Sequence, residues 1–102
     1  MIYNKLVRDK IPQIIKEQGE VPCVRILSDA EYSAALDQKL REETEEFLAG
    51  KDLEELADIL EVVYAQTENL GFTKENLHAI YEKKHEKRGG FQDRVFLISK
   101  EG

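Results

Sequence analysis

A chain of 102 residues and 11.8 kDa has room for one domain and one small hydrophobic core, so burial against a second copy is expected from size alone. Charged residues make up 35% of it and the formal net charge is -6, a balance that argues against binding a nucleic acid polymer, where basic residues dominate. The lone cysteine, Cys23, rules out an internal disulfide. No apolar run approaches the ~20 residues a bilayer span needs, and Met1 to Lys5 lacks a signal-peptide core. A cytoplasmic protein without membrane association is expected.

Asp9 reads as the cap of a short helix from about Lys10 to Gln18, with Pro12 in its first turn and Gly19 ending it. Val21 to Leu27 is rich in β-branched residues and contains Pro22, which predicts a short edge strand in which Cys23 has a packing role. Ser28 with Glu31 forms a capping box opening a long helix that runs to about Ala49 and stops at Gly50. A second long helix starts at Asp52 and stops at Gly71, and a third runs from Thr73 to Gly89-Gly90. Val95 to Ser99 reads as a final strand, able to pair with residues 23–27 in a two-stranded sheet that would need helical support.

Apolar spacing supports the three long helices. Leu36, Leu40 and Phe47 share one stripe of the first; Leu53, Leu56, Leu60, Val63, Tyr64 and Leu70 form the main stripe of the second. Ile59 and Val62 fall outside that stripe, so the second long helix should be covered on two sides, most simply by another subunit. Leu77, Ile80 and Tyr81 mark the third.

Helical spacing calls for an apolar residue at position 43, and Glu43 stands there; Glu46 lies one turn on. Glu55 and Asp58 repeat the i, i+3 spacing in the next helix. The connection around Gly50 to Asp52 is short, so the two helices run antiparallel, and a rise of ~1.5 Å per residue keeps all these acids within roughly two turns of the hairpin tip. Like charges so close repel and resist desolvation. A hard divalent cation relieves this, and Mg²⁺ suits it because it accepts a few carboxylates and leaves room for phosphate oxygens; Mn²⁺ also fits. A bland alternative stays open for Glu55, three residues after Asp52, as the partner of a helix cap.

Lys5, Arg8 and Lys10 cluster before the first helix, and Lys83, Lys84, Lys87 and Arg88 near the end of the last. Lys5, Arg8, Lys84 and Arg88 are candidates for binding a polyphosphate across the metal, although cations at a helix C-terminus also satisfy the macrodipole. There is no GxxxxGK[ST] phosphate loop and no GxGxxG turn. Glu75-His78 and Glu82-His85 have the Glu-x-x-His spacing of di-iron bundles but fall on one helix, and His78 and His85 read as surface residues.

The sequence resembles the MazG-like nucleotide pyrophosphohydrolases of the all-α NTP pyrophosphatase superfamily, whose signature is E-x-x-E, a gap, then E-x-x-D. Here that reads Glu43-Thr44-Glu45-Glu46 and Glu55-Leu56-Ala57-Asp58. The opening Tyr-Asn-Lys-Leu-Val-Arg-Asp-Lys-Ile-Pro and the closing Lys-Arg-Gly-Gly-Phe are similar to a compact subgroup described as phosphoribosyl-ATP pyrophosphohydrolase-like. The resemblance implies Mg²⁺ held by Glu43, Glu46, Glu55 and Asp58, a homo-oligomer (dimer or tetramer) whose helices form a bundle, and cleavage of a nucleoside triphosphate to a monophosphate and pyrophosphate.

The expectation is therefore an all-α single domain over residues 1–102, an antiparallel helical hairpin plus a third helix, with a small sheet from 23–27 and 95–99. Glu43 or Glu46 would orient or deprotonate the attacking water. Two alternatives stand beside it: a phosphoribosyl-ATP pyrophosphohydrolase using the same acids, and a non-catalytic acidic helical module that dimerises or binds a basic partner.

Overall fold

Ser28, Asp52 and Thr73 each end an extended stretch with a side-chain oxygen aimed at the next backbone N–H groups, and each starts a helix. The computed structural model describes residues 1–102 and contains α1 (Ile11–Glu17), α2 (Asp29–Gly50), α3 (Leu53–Asn69) and α4 (Lys74–Arg88). The fold is all-α. Ser28 accepts from Glu31 N–H while the Glu31 carboxylate accepts from Ser28 N–H, a complete capping box; Thr73 and Asn76 make the same exchange. Asp9 makes no cap: α1 starts after Lys10 with no side-chain acceptor at its N-terminus.

α2 and α3 form the expected antiparallel hairpin. Its far end is closed by polar pairs, Asn69 to Ser33 at 2.9 Å and Gln66 to Asp37 at 2.9 Å, and Leu36 and Val62 are its buried apolar centre. The turn differs from expectation in one respect. Gly50 is the last residue of α2, and the left-handed position that ends the helix belongs to Lys51, at φ 54°. The Lys51 ammonium lies 4.9 Å from the Phe47 ring centroid, a cation–π contact over the same turn.

The two expected strands do not form. Neither residues 23–27 nor 95–99 make a ladder, and no strand exists anywhere in the chain. Val24, Ile26, Val95, Phe96, Leu97 and Ile98 all lie exposed, and Cys23 with them. A lone two-stranded ribbon is marginal without a helix to cover one face, and within one chain the apolar side chains of these segments stay uncovered.

The helix faces also sort differently from the apolar pattern. Val62, assigned off the main stripe of α3, is the residue buried against α2, whereas Leu53 is 79% exposed and Leu56 and Leu60 are 44% and 46% exposed. α4 leans on α3 only near its start, where Tyr64 meets His78 at 3.0 Å and Lys74 covers the Tyr64 ring. The result is elongated, 62 × 32 × 22 Å with a radius of gyration of 18.1 Å, against about 13 Å for a compact chain of this length. The accessible surface is 9594 Å², roughly 3,700 Å² above the scaling for a folded monomer of this mass. No helix is long and apolar enough to cross a membrane.

Candidate metal centre

Position 43 sits on the stripe of α2 that faces α3, so the fold pulls a carboxylate into the seam. Glu43 is only 7% exposed. One oxygen faces Lys39, one turn earlier, at 3.3 Å; the other, Oε2, is buried without a hydrogen-bond partner. Glu55 in the first turn of α3 is half-buried, and its Oε2 is likewise buried and unpartnered. Leaving such an atom unsatisfied costs about 1–3 kcal/mol, more for a charged group. Two in one hairpin of so small a core ask for a reason.

Glu46 is exposed at the rim of this pair. The Glu43 charge one turn away pushes its pKa upward, desolvation adds to that, and Glu55 across the turn acts in the same direction, with Lys39 opposing. Glu43, Glu46 and Glu55 thus share one electrostatic field, across the helix–turn–helix reversal that the acid spacing foreshadows. Asp58 is turned elsewhere, to the Arg8 guanidinium at 2.6 Å. The helix-cap alternative for Glu55 fails: Asp52 accepts from Glu54 N–H and the Glu55 carboxylate does not reach back.

As placed, no three His, Cys, Asp or Glu side chains converge closely enough to hold an ion. Lys39 faces one Glu43 oxygen and Arg8 pairs with Asp58. The donor set still fits a hard divalent cation, being all carboxylate oxygen with two orphaned buried acceptors among them.

Of the expected phosphate-binding residues, Arg8 alone is brought to the acids. Lys5 lies 5.8 Å from the Tyr3 ring centroid, and no ion pair or hydrogen bond joins Lys5, Lys84 or Arg88 to Glu43, Glu46, Glu55 or Asp58. The end of α4 extends past its contact with α3, which leaves Lys84 and Arg88 exposed. His78 is exposed as expected, though it shares a hydrogen bond with Tyr64.

Two residues of the centre escaped the sequence reading. Lys39 precedes Glu43 by four positions, a spacing that signals an ion pair but reads as ordinary surface pairing. Gly50 reads as a helix stop, yet a Cβ there would stand 2.7 Å from Glu55 Oε1 and 3.0 Å from Oε2. Its bare backbone is what admits the Glu55 carboxylate.

No family model matches the chain. No solved structure matches it. A stretch of 46 residues, 45% of the chain, is 56% identical to an uncharacterized protein of Mycolicibacterium smegmatis, of which it covers 47%. The match thus spans about half the length of that curated relative.

Proposed function

We propose that the chain is a divalent-metal-dependent nucleotide pyrophosphohydrolase that releases pyrophosphate from a nucleoside triphosphate, with Glu43, Glu46, Glu55 and Asp58 as the ligands of Mg²⁺ or Mn²⁺. The observation that carries this reading is the burial of two unpartnered carboxylate oxygens, Glu43 Oε2 and Glu55 Oε2, on facing sides of one hairpin. A fold that keeps acids where they destabilise it is expected to recover the cost by binding a cation. The resemblance of the acid signature and both flanking stretches supplies the substrate class.

When bound, the ion would lower the pKa of an attacking water and neutralise charge on the phosphate oxygens. Glu46 is the carboxylate suited to take the water's proton, because it is exposed at the rim whereas Glu43 is buried in the seam. Glu43 is buried beside Lys39 and serves as an anchor. Arg8 brings positive charge to the rim of the site, where the departing pyrophosphate would lie. Lys5, Lys84 and Arg88 would act there only after rearrangement or from a neighbouring subunit. A homo-oligomer, dimer or tetramer, is part of the same reading, because the exposed leucines of α3 need a cover.

The deciding experiment is a pyrophosphate-release screen over standard and modified nucleotides, with phosphoribosyl-ATP included, in Mg²⁺ and Mn²⁺. Glu43→Gln and Asp58→Asn are each expected to lower the rate on the order of 100-fold or more. Full activity in both folded variants would remove the centre. The lack of a gathered three-acid cluster favours the rival reading of a non-catalytic helical module, which expects no pyrophosphate from any nucleotide and no melting shift with Mg²⁺.

A further inference from the structure

Three of the chain's four ion pairs join residues no more than six positions apart. The remaining one joins Arg8 to Asp58 across fifty positions, from the segment before α1 to the middle of the acid signature. Arg8 also accepts from Ile11 N–H through its carbonyl at 3.0 Å, so its backbone is part of the turn that opens α1. On the other side of the hairpin the Lys39 ammonium sits 3.3 Å from Glu43 and 3.9 Å from Glu42, with its side chain 20% exposed. Two cations therefore stand against two of the four candidate ligands, one on each helix. Glu55 and Glu46 have none.

We propose that Arg8 and Lys39 are resident counter-ions of the acid centre, each holding a carboxylate that a divalent ion takes over, and each displaced when that ion binds. The proposal rests on the metal reading above and adds an exchange to it. A single ammonium or guanidinium compensates one carboxylate by hydrogen bonding, whereas a divalent ion compensates several at once, so the exchange favours the ion where several acids share a field. The Arg8–Asp58 pair is well exposed on both sides, at 54% and 41%, and such pairs are weak enough to open. Once displaced, Arg8 would be free to present its planar fork toward phosphate oxygens. The same side chain serves as stand-in before loading and as phosphate ligand after it. Lys39, on a shorter lead within α2, returns to Glu42.

Competition of this kind has a signature opposite to that of ordinary site residues: removing the cation tightens metal binding. Titration of the full-length chain with Mn²⁺ alone, by calorimetry, tests it. Arg8→Gln is expected to tighten Mn²⁺ by about 2- to 5-fold, the range of an exposed ion pair. Lys39→Gln is expected to tighten it at least as much and to lower the metal-free melting temperature, while Lys39→Arg keeps wild-type affinity. In wild-type protein, the Arg8 Nε–Hε NMR resonance should shift on adding Mg²⁺. Unchanged or weaker Mn²⁺ binding in Arg8→Gln, an exposed change that the fold tolerates, overturns the proposal whether or not Lys39→Gln folds. A wild-type chain that binds no Mn²⁺ overturns the metal reading and this exchange together. A wild-type chain that binds Mn²⁺, with variants that bind no tighter, overturns the exchange alone.

Discussion

Gly50 and Glu55 show how a single missing side chain shapes the centre. Gly50 has helical geometry as the last residue of α2, so backbone conformation does not demand glycine there. Helix propensity alone favours alanine by roughly 0.5–1 kcal/mol. What an added methyl meets is the Glu55 carboxylate, at 2.7 Å and 3.0 Å from its oxygens, and that side chain is able to swing away. Gly50→Ala should therefore leave the metal-free protein as stable as wild type or up to about 1 kcal/mol more stable by denaturant titration. Its Mn²⁺ affinity and pyrophosphate release should fall together, by roughly 10-fold, as Glu55 is pushed out of the turn. A loss of stability with unchanged Mn²⁺ affinity would show that Gly50 is only part of the turn. The residue-level lesson runs in both directions. Glu43 was legible because an acid interrupts an apolar stripe, whereas Lys39 and Gly50 each had a bland local explanation, and only the folded hairpin shows what they touch.

Helix boundaries were the most legible feature, because caps depend on residues a few positions apart. Ser28, Asp52 and Thr73 start helices where expected, and the left-handed glycines at 71 and 89 follow their ends. The capping box of α2 carries an addition that spacing did not show. Arg25 reaches Glu31 through both terminal nitrogens, at 3.2 Å and 2.8 Å, which fastens residues 25–28 onto the first turn. The Arg25 hydrogen bond, followed by those from Ser28, lowers the Glu31 pKa from 4.5 to about 2. In the unfolded chain Glu31 takes up its proton at a higher pH than in the folded one, so between these values the unfolded state binds more protons and stability rises with pH. The stabilisation is complete above about pH 4.5 and is lost as the pH falls through about 2. Glu31→Gln keeps an acceptor for Ser28 N–H but has no charge for Arg25. The denaturant midpoint of the wild type should exceed that of the variant at pH 5, and the gap should close toward pH 2. A gap independent of pH would mean that the ion pair contributes nothing. The strand segments, by contrast, were legible only as composition, since pairing depends on a covering surface that the local sequence does not specify.

At the scale of the whole molecule, the strongest apolar stripe of α3 points away from its own hairpin. A helix covered on two sides shows two stripes, and the sequence does not rank which one the chain itself covers; here α2 takes the Val62 side and leaves Leu53, Leu56 and Leu60 outside. The roughly 3,700 Å² of surplus surface exceeds the about 1,000–2,500 Å² per chain that obligate dimers bury, so extended arms as well as the α3 face are available to a second copy. Burying an exposed leucine contributes about 1.5–3 kcal/mol, which makes this face the place where association would stabilise the fold most. Sedimentation analysis should then give a mass at least twice 11.8 kDa, with a melting temperature that rises with protein concentration. Leu56→Glu combined with Leu60→Glu places two charges at the centre of the proposed contact and should shift the mass toward the monomer and abolish that concentration dependence. The four acids remain untouched by these changes, so Mn²⁺ binding measured on the dissociated chain separates a centre carried by the hairpin alone from one that needs its neighbour. A wild-type chain that sediments as a monomer at every concentration, with one fixed melting temperature, would leave the outward stripe without an occupant and remove the second copy from the account.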